Sequence, residues 1–373
     1  MNTIRLSFFG QAFGVWLICL ASIELGYGQL SQNTTNLSAP DRSDSIKAMA
    51  LTAKAFRATA DRIRPALVTI ESFGGVSAIQ GKIGGIRQQG EGNTTGVMIS
   101  PDGYIVTSTF NFIQRPPVIT VITSDGERRV AQLLGRDETR KICLLKIDGV
   151  KDMPVLESVD PKEVVVGQWA VSVGVGFGDS NPAISSGIIS AKNRVGGKAL
   201  QTDANISPAC YGGPLVDLQG RLIGICVPLN PQSQAAGAGV EWYDSGIGFV
   251  IPLFGEEKLL ERLKNGDRIA AAFLGIQGIP DPGGQGIWIE KVEPKTAADS
   301  VGLKIEDVIV AVAGVKVKDL MSLKQVLGRY EAGSEVELEY IQYQQPGTKI
   351  VIVKLGEPPA DPKQNQLEPP KIR

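Results

Sequence analysis

The stretch with residue types suited to covalent chemistry is 202–216, TDANISPACYGGPLV, where a tight Cys-Tyr-Gly-Gly-Pro turn separates two strand-like runs. A thiol, Cys210, and a phenol, Tyr211, stand side by side at its tip. Acyl transfer from such a loop takes a nucleophile, a base to remove its proton, and a carboxylate to orient the base. The chain holds no histidine, which removes the commonest general base and the commonest metal ligand. A lysine with a depressed pKa can stand in as a base. Tyr211 is a poor acyl-transfer nucleophile near neutral pH, because its phenolate is scarce and is a good leaving group. Cys210 sits at a turn where backbone amides can lower a thiol pKa; the other reading is a buried structural thiol. With four cysteines and no CxxC pair, no zinc site is expected, and no motif points to a cofactor.

The elements that must position this turn are short strands. The 44 glycines and 22 prolines with few aromatic residues indicate many turns and a β-rich chain, long enough at 373 residues for two or three domains. A first set of strand patterns covers 66–72, a hairpin over 95–107 turned by Pro101-Asp102-Gly103, then 118–123, 128–135 and 142–147. A second set covers 168–175, 183–192, 199–202, 215–217, 221–227 and 247–251. Residues 73–93 are rich in Gly and Gln without a period and are expected as a loop. Residues 45–64 have helical spacing that stops before Pro65. A net charge of −1 without any Lys/Arg-rich block gives no case for nucleic acid.

The N-terminus reads as an export signal over 1–28: Arg5, an apolar run over 12–23, then Gly26-Tyr27-Gly28 before Gln29. An uncleaved membrane anchor is the alternative. A polar leader and the helix fill 29–63. Export, to the periplasm or outside the cell, implies an oxidising compartment. Cys143, Cys210 and Cys226 remain after cleavage, an odd number that leaves at least one thiol unpaired within the chain.

The turn resembles the nucleophile loop of the HtrA/Deg family of trypsin-like serine proteases, TDA-x-I-N-P-G-N-S-G-G-P-L. The matches are Thr202, Asp203, Ala204, Ile206, Pro208, Gly212, Gly213, Pro214 and Leu215. Residues 95–107, 135–147, 185–194 and 246–252 resemble further segments of that family, in its order and spacing. The resemblance implies a mainly β fold, a trypsin-like (chymotrypsin-fold) double β-barrel over 64–265. Residues 270–356 resemble a PDZ domain, through Ala297, Ala298, Gly302, Leu303, Asp307, Val308, Ile309 and Gly314. One PDZ-like α+β domain is therefore expected after the barrels, with a groove helix over 322–330, last strands over 335–343 and 349–354, and a disordered tail over 357–373.

Set against the family motifs, Phe110 stands where the histidine belongs, Lys141 where the aspartate belongs and Tyr211 where the serine belongs. The oxyanion loop of Ala209, Cys210, Tyr211 and Gly212 is degenerate, since Ala209 replaces a glycine; the amides of Ala209 and Tyr211 are its remaining candidate donors. No catalytic residue is therefore assigned, and Phe110 and Tyr211 are expected to plug the cleft or to offer a binding surface. In the PDZ-like domain the resemblance implies that the loop of Phe273, Leu274, Gly275 and Ile276 offers amides to a peptide's C-terminal carboxylate. Leu323, Val326 and Leu327 line the groove or fill the core; spacing alone does not separate the two. The implied function is that of an exported pseudoprotease that binds peptides, protein C-termini or unfolded proteins through the PDZ-like domain and the degenerate protease cleft, in a scaffold, chaperone-like or regulatory role in protein quality control. It would act as a homo-oligomer, a trimer by family likeness, or together with active relatives. An active serine endopeptidase is the alternative.

Overall fold

The computed structural model describes residues 42–73, 93–112, 116–176, 182–230 and 245–359. The expected export signal over 1–28, most of the leader, nearly all of the 73–93 loop and the end of the tail lie outside those residues. Contacts divide the chain into two units between Ala53 and Lys54. The described part of the first unit is the opening of helix α1 (Arg42–Ile63), where Ile46, Met49 and Leu51 are exposed. The helix begins three residues before the expected start and stops ahead of Pro65, whose fixed φ suits the 3-10 turn that follows.

In the second unit, β1 (Leu67–Phe73), β2 (Thr94–Met98), β3 (Tyr104–Ser108), β4 (Val118–Ile122), β5 (Arg128–Asp137) and β6 (Ile142–Ile147) close into a first barrel, β5 pairing with β6. Strands β7 (Trp169–Gly174), β8 (Ala183–Arg194), β9 (Ala199–Thr202), β10 (Pro214–Val216), β11 (Leu222–Val227) and β12 (Gly248–Ile251) close a second. Successive side chains on a strand point to opposite faces. Met98, Ile105 and Leu145 thus fill the first barrel, while Val97, Val106 and Leu144 turn outward. The outward set packs on Val171, Val173 and Ile225 of the second barrel, so the barrels share a dry seam. Ala60 and Ile63 of α1 are buried in the same seam cluster.

Helix α2 (Glu257–Lys264) follows, and then β13 (Arg268–Ile269), which pairs in parallel with Arg136 and Asp137 of β5. A two-residue strand is too short to carry a period in the sequence. The last sheet has β14 (Ile276–Pro280), β15 (Ile287–Val292), β16 (Val308–Val312), β18 (Glu335–Ile341) and β19 (Thr348–Lys354) in order, with β17 (Val315–Lys316) paired to β16. Helices α3 (Ala297–Ser300) and α4 (Leu320–Leu327) accompany it. Asp319 and Ser322 form a reciprocal capping box at the start of α4, satisfying amides the helix would leave bare. The fold class is the expected one: mainly β, two six-stranded barrels, then a sheet with short helices.

Arg140 ties this last domain to the barrels. One of its nitrogens, Nη1, lies 2.8 Å from Asp137 Oδ2 and 3.0 Å from Glu331 Oε1. Arg262 holds the other Glu331 oxygen at 2.7 Å. Burial alone would raise the Glu331 pKa, but hydrogen bonds from Arg262 and Arg140 hold it below the usual carboxylate range.

Candidate functional site

Phe110, Lys141 and Tyr211 come from three turns. Phe110 lies on the 3-10 turn after β3, Lys141 on the turn between β5 and β6, and Tyr211 just after the 3-10 turn Pro208–Cys210. Ser108 fastens the first two turns: its hydroxyl donates to the Lys141 carbonyl at 3.2 Å and accepts from the Phe110 amide at 3.3 Å. The Phe110 and Tyr211 rings meet edge-on, with centroids 5.1 Å apart and planes at 79°. Such a crossing is favoured by the ring quadrupoles. Phe110 is 4% exposed and Tyr211 3%, both within the second barrel's core cluster beside Ile206, Leu215 and Cys226. Of the two expectations for these rings, the plug matches their burial; neither offers a surface.

The loop backbone is closely held. Thr95 Oγ1 donates to the Ala209 carbonyl at 2.7 Å and accepts from the Val175 amide at 2.8 Å. Asn111 Nδ2 reaches the Tyr211 carbonyl at 3.2 Å. Gly212 has φ +87°, a left-handed conformation, and a Cβ there would overlap Thr107 Oγ1 and the Thr95 carbonyl. One expectation is corrected. The Tyr211 amide does not point outward as an oxyanion donor. It donates back to the carbonyls of Ser207 and Pro208, at 3.2 and 3.3 Å. Pro208 starts a 3-10 turn, and i to i+3 bonding consumes the amide.

Burial pushes the Lys141 ammonium down to a pKa of about 8, against the opposing pull of Glu138 and Asp137. Its φ of 57° is left-handed, unusual for a residue with a Cβ. Asp137 is fully buried and is satisfied as a cap: Oδ1 accepts from the Thr139 amide and hydroxyl and the Arg140 amide, and Oδ2 from Arg140 Nη1. It is structural. Cys143, Cys210 and Cys226 are free, buried thiols; burial pushes Cys143 up to about 12 and raises Cys226 further. That burial is the structural-thiol alternative for Cys210.

Two hollows adjoin these residues. The recess against Tyr211, bounded by Ile206, Val227 and Phe249, encloses about 10 Å³, room for one water molecule at most. The second is a cavity of about 920 Å³, reached by Lys141 and lined on one side by the second barrel and on the other by α4. Nothing in the sequence foretold it, because it forms only where two domains meet.

A Trypsin-like peptidase domain family matches residues 94–225 and a PDZ domain family residues 261–350. A variant of the HtrA-type protease AlgW, solved with a decapeptide, superposes with a TM-score of 0.63 at 26% identity, covering 82% of this chain and 98% of that one. The chain belongs to the HtrA-type family. The serine endoprotease of Yersinia pestis superposes with a TM-score of 0.59 at 25% identity, covering 81% of this chain and 97% of that one. In sequence, the "Probable periplasmic serine endoprotease DegP-like" of Halomonas elongata is 32% identical over 265 residues, 66% of this HtrA-type chain and 53% of that protein. The chain thus spans about half the length of such DegP-like relatives. Among the described residues, no helix is long and apolar enough to cross a membrane.

In the PDZ domain, Leu274 is buried in the core with Leu323, Val326 and Leu327. Phe273 is half-buried and exchanges both backbone hydrogen bonds with Gly356, at 2.9 and 3.0 Å. Gly275 has φ +89° and lies where a Cβ would overlap the Thr296 side chain, so the loop requires glycine there. Ile276 opens β14 opposite Val292.

Proposed function

We propose that this protein is an exported HtrA-type pseudoprotease. It binds peptide segments, protein C-termini or unfolded proteins through the Phe273–Ile276 loop of its PDZ domain and serves as a scaffold or chaperone-like partner in protein quality control. The observation that carries this reading is the set of residues at the three triad positions: Phe110, Lys141 and Tyr211, with no histidine anywhere in the chain. None of the three is the serine hydroxyl, the imidazole base or the orienting carboxylate on which the triad mechanism runs. The burial of both rings supports the PDZ domain over the old cleft as the peptide-binding part. Periplasmic names among the relatives support export.

A second reading, active endopeptidase, is favoured by the protease names of those relatives. One experiment separates the two. Purified protein is incubated with a denatured, reduced substrate and with a serine-directed fluorophosphonate probe. Under the pseudoprotease reading there is neither cleavage nor labelling. Cleavage that persists through repeated purification, or probe attached within residues 201–215, establishes the protease. Binding of peptides with free and amidated C-termini then tests the PDZ loop, and light scattering tests trimer formation and assembly with active relatives.

A further inference from the structure

The cavity between the second barrel and α4 has a chemistry that the PDZ loop does not use; it shares Leu229 and Phe249 with the recess against Tyr211 and extends from there to α4. Its volume of about 920 Å³ lies within the range of sites that enclose a small ligand. Four cationic side chains line it: Lys141 from the turn before β6, Arg194 from the end of β8, and Lys324 and Arg329 from α4 and just beyond. Glu138 is the one carboxylate among its described lining residues, and Arg268 takes both of its oxygens at 2.9 Å each. Among the described residues, Arg194, Lys324 and Arg329 have no ion-pair partner. Unbalanced charge on a concave, low-dielectric wall concentrates counter-ions.

Two further observations point to a peptide rather than a bare ion. The floor is apolar, made by Leu229, Phe249 and the partly exposed Met321. The backbone around the cavity is also held in an uncommon conformation. Lys141, Asn193 and Val195 have φ of 57°, 56° and 50°, left-handed values that cost about 1 kcal/mol or more each and gather at ligand clamps. The turn that carries two of them is wedged against α4, since a Cβ on Gly196 would come within 2.9 Å of the Gly328 carbonyl.

We propose that this cavity binds an acidic peptide segment, with side-chain carboxylates on Arg194, Lys324, Arg329 and Lys141 and an apolar side chain on the Leu229–Phe249 floor. The site is separate from Phe273–Ile276, none of which lines it. It recognises the body of a chain and needs no free C-terminus.

The probe is a rhodamine-labelled, C-terminally amidated peptide alternating Glu and Leu, with a Gln/Leu counterpart as control, titrated into the full chain and followed by anisotropy. The Glu probe binds and the Gln probe does not. The double substitution Lys324→Glu/Arg329→Glu, on two exposed positions, weakens binding about tenfold or more without moving the urea midpoint. A reference peptide with a free C-terminus and no acidic side chain, which reads the PDZ loop, binds the double variant as it binds the parent. No binding of the Glu probe, equal binding of both probes, or unchanged affinity in the double variant overturns the proposal and leaves the PDZ reading standing. Displacement by inorganic phosphate, with chloride at matched ionic strength inert, also overturns it in favour of a small-anion site.

Discussion

The ring of Phe110 crosses the ring of Tyr211 at 79°, with centroids 5.1 Å apart, and both are sealed from solvent. Two of the three residues proposed at the triad positions form one packing unit. Tyr211→Ser should therefore remove buried aromatic area, cost about 3 kcal/mol or more in stability, and give no hydrolysis. The triple change Phe110→His/Lys141→Asp/Tyr211→Ser should also stay inactive, because the residue-211 amide remains turned into the Pro208–Cys210 turn. Replacing Ala209 by Gly in that background frees the turn and is the first combination expected to label with a fluorophosphonate. Labelling of the single Tyr211→Ser variant would falsify this picture.

Lys141 makes stability depend on alkaline pH. Burial lowers its pKa from the usual 10.5 to about 8. Between those values the unfolded chain holds a proton that the folded chain has released, so stability rises with pH across that window. Below about pH 8 the folded protein carries the full penalty, on the order of 3 kcal/mol. Lys141→Met should raise the urea midpoint near pH 7, and the gain should fade as pH climbs towards 10.5. A gain that is flat with pH would show that the lysine charge is not its cause.

The Arg140 hub should govern how the PDZ domain sits on the barrels. Arg140→Met strips the cation from fully buried Asp137 and frees one oxygen of Glu331. Breaking one side of a buried pair costs about 3–5 kcal/mol. Calorimetry should show the transition falling and the PDZ domain melting apart from the barrels. Glu331, whose pKa is held low, contributes stability that is present above its usual 4.5 and lost as pH falls through its lower folded value. A single unchanged transition in the variant counts against the hub.

Gly212→Ala should be among the most damaging small substitutions in the chain. It adds a methyl group where Thr107 and Thr95 already stand, on a backbone at φ +87°. Gly126→Ala, also at positive φ but in open space, should cost only the conformational penalty, about 1 kcal/mol. Comparable soluble yield and urea midpoints for the two would contradict the steric account.

Much of this was legible in the sequence where residues interact locally. Val97 and Met98 alternate between seam and barrel interior as a period of two requires, and Pro101-Asp102-Gly103 turns the β2–β3 hairpin. Between β10 and β11 Pro214 pairs with Ile225, and the Cys226 amide donates to the Gly213 carbonyl, a register that residue types alone do not set. The proposed triad positions, Phe110, Lys141 and Tyr211, rest on motif and spacing in the sequence. What the sequence could not tell was which way an amide points. The Tyr211 N–H donates to the Ser207 and Pro208 carbonyls, a direction that residue identity does not spell out. The cavity was equally hidden: Lys141 and Lys324 lie 183 positions apart in the chain, and only domain docking makes them neighbours.

Strand β13 has a practical consequence. The chain leaving the barrels passes so near Gly135 that a Cβ there would come within 2.6 Å of Leu263 Cα. Its Asp267 and Ile269 carbonyls then accept from the amides of Arg136 and Glu138, at 3.0 and 2.9 Å. A nick between residues 264 and 267 would thus leave two fragments still laced together, co-migrating until denatured. A fragment truncated at 265 would expose a raw β edge on the first barrel, the kind of edge that recruits other strands. Whoever dissects this molecule should cut after Ile269 and leave the lace with the barrels.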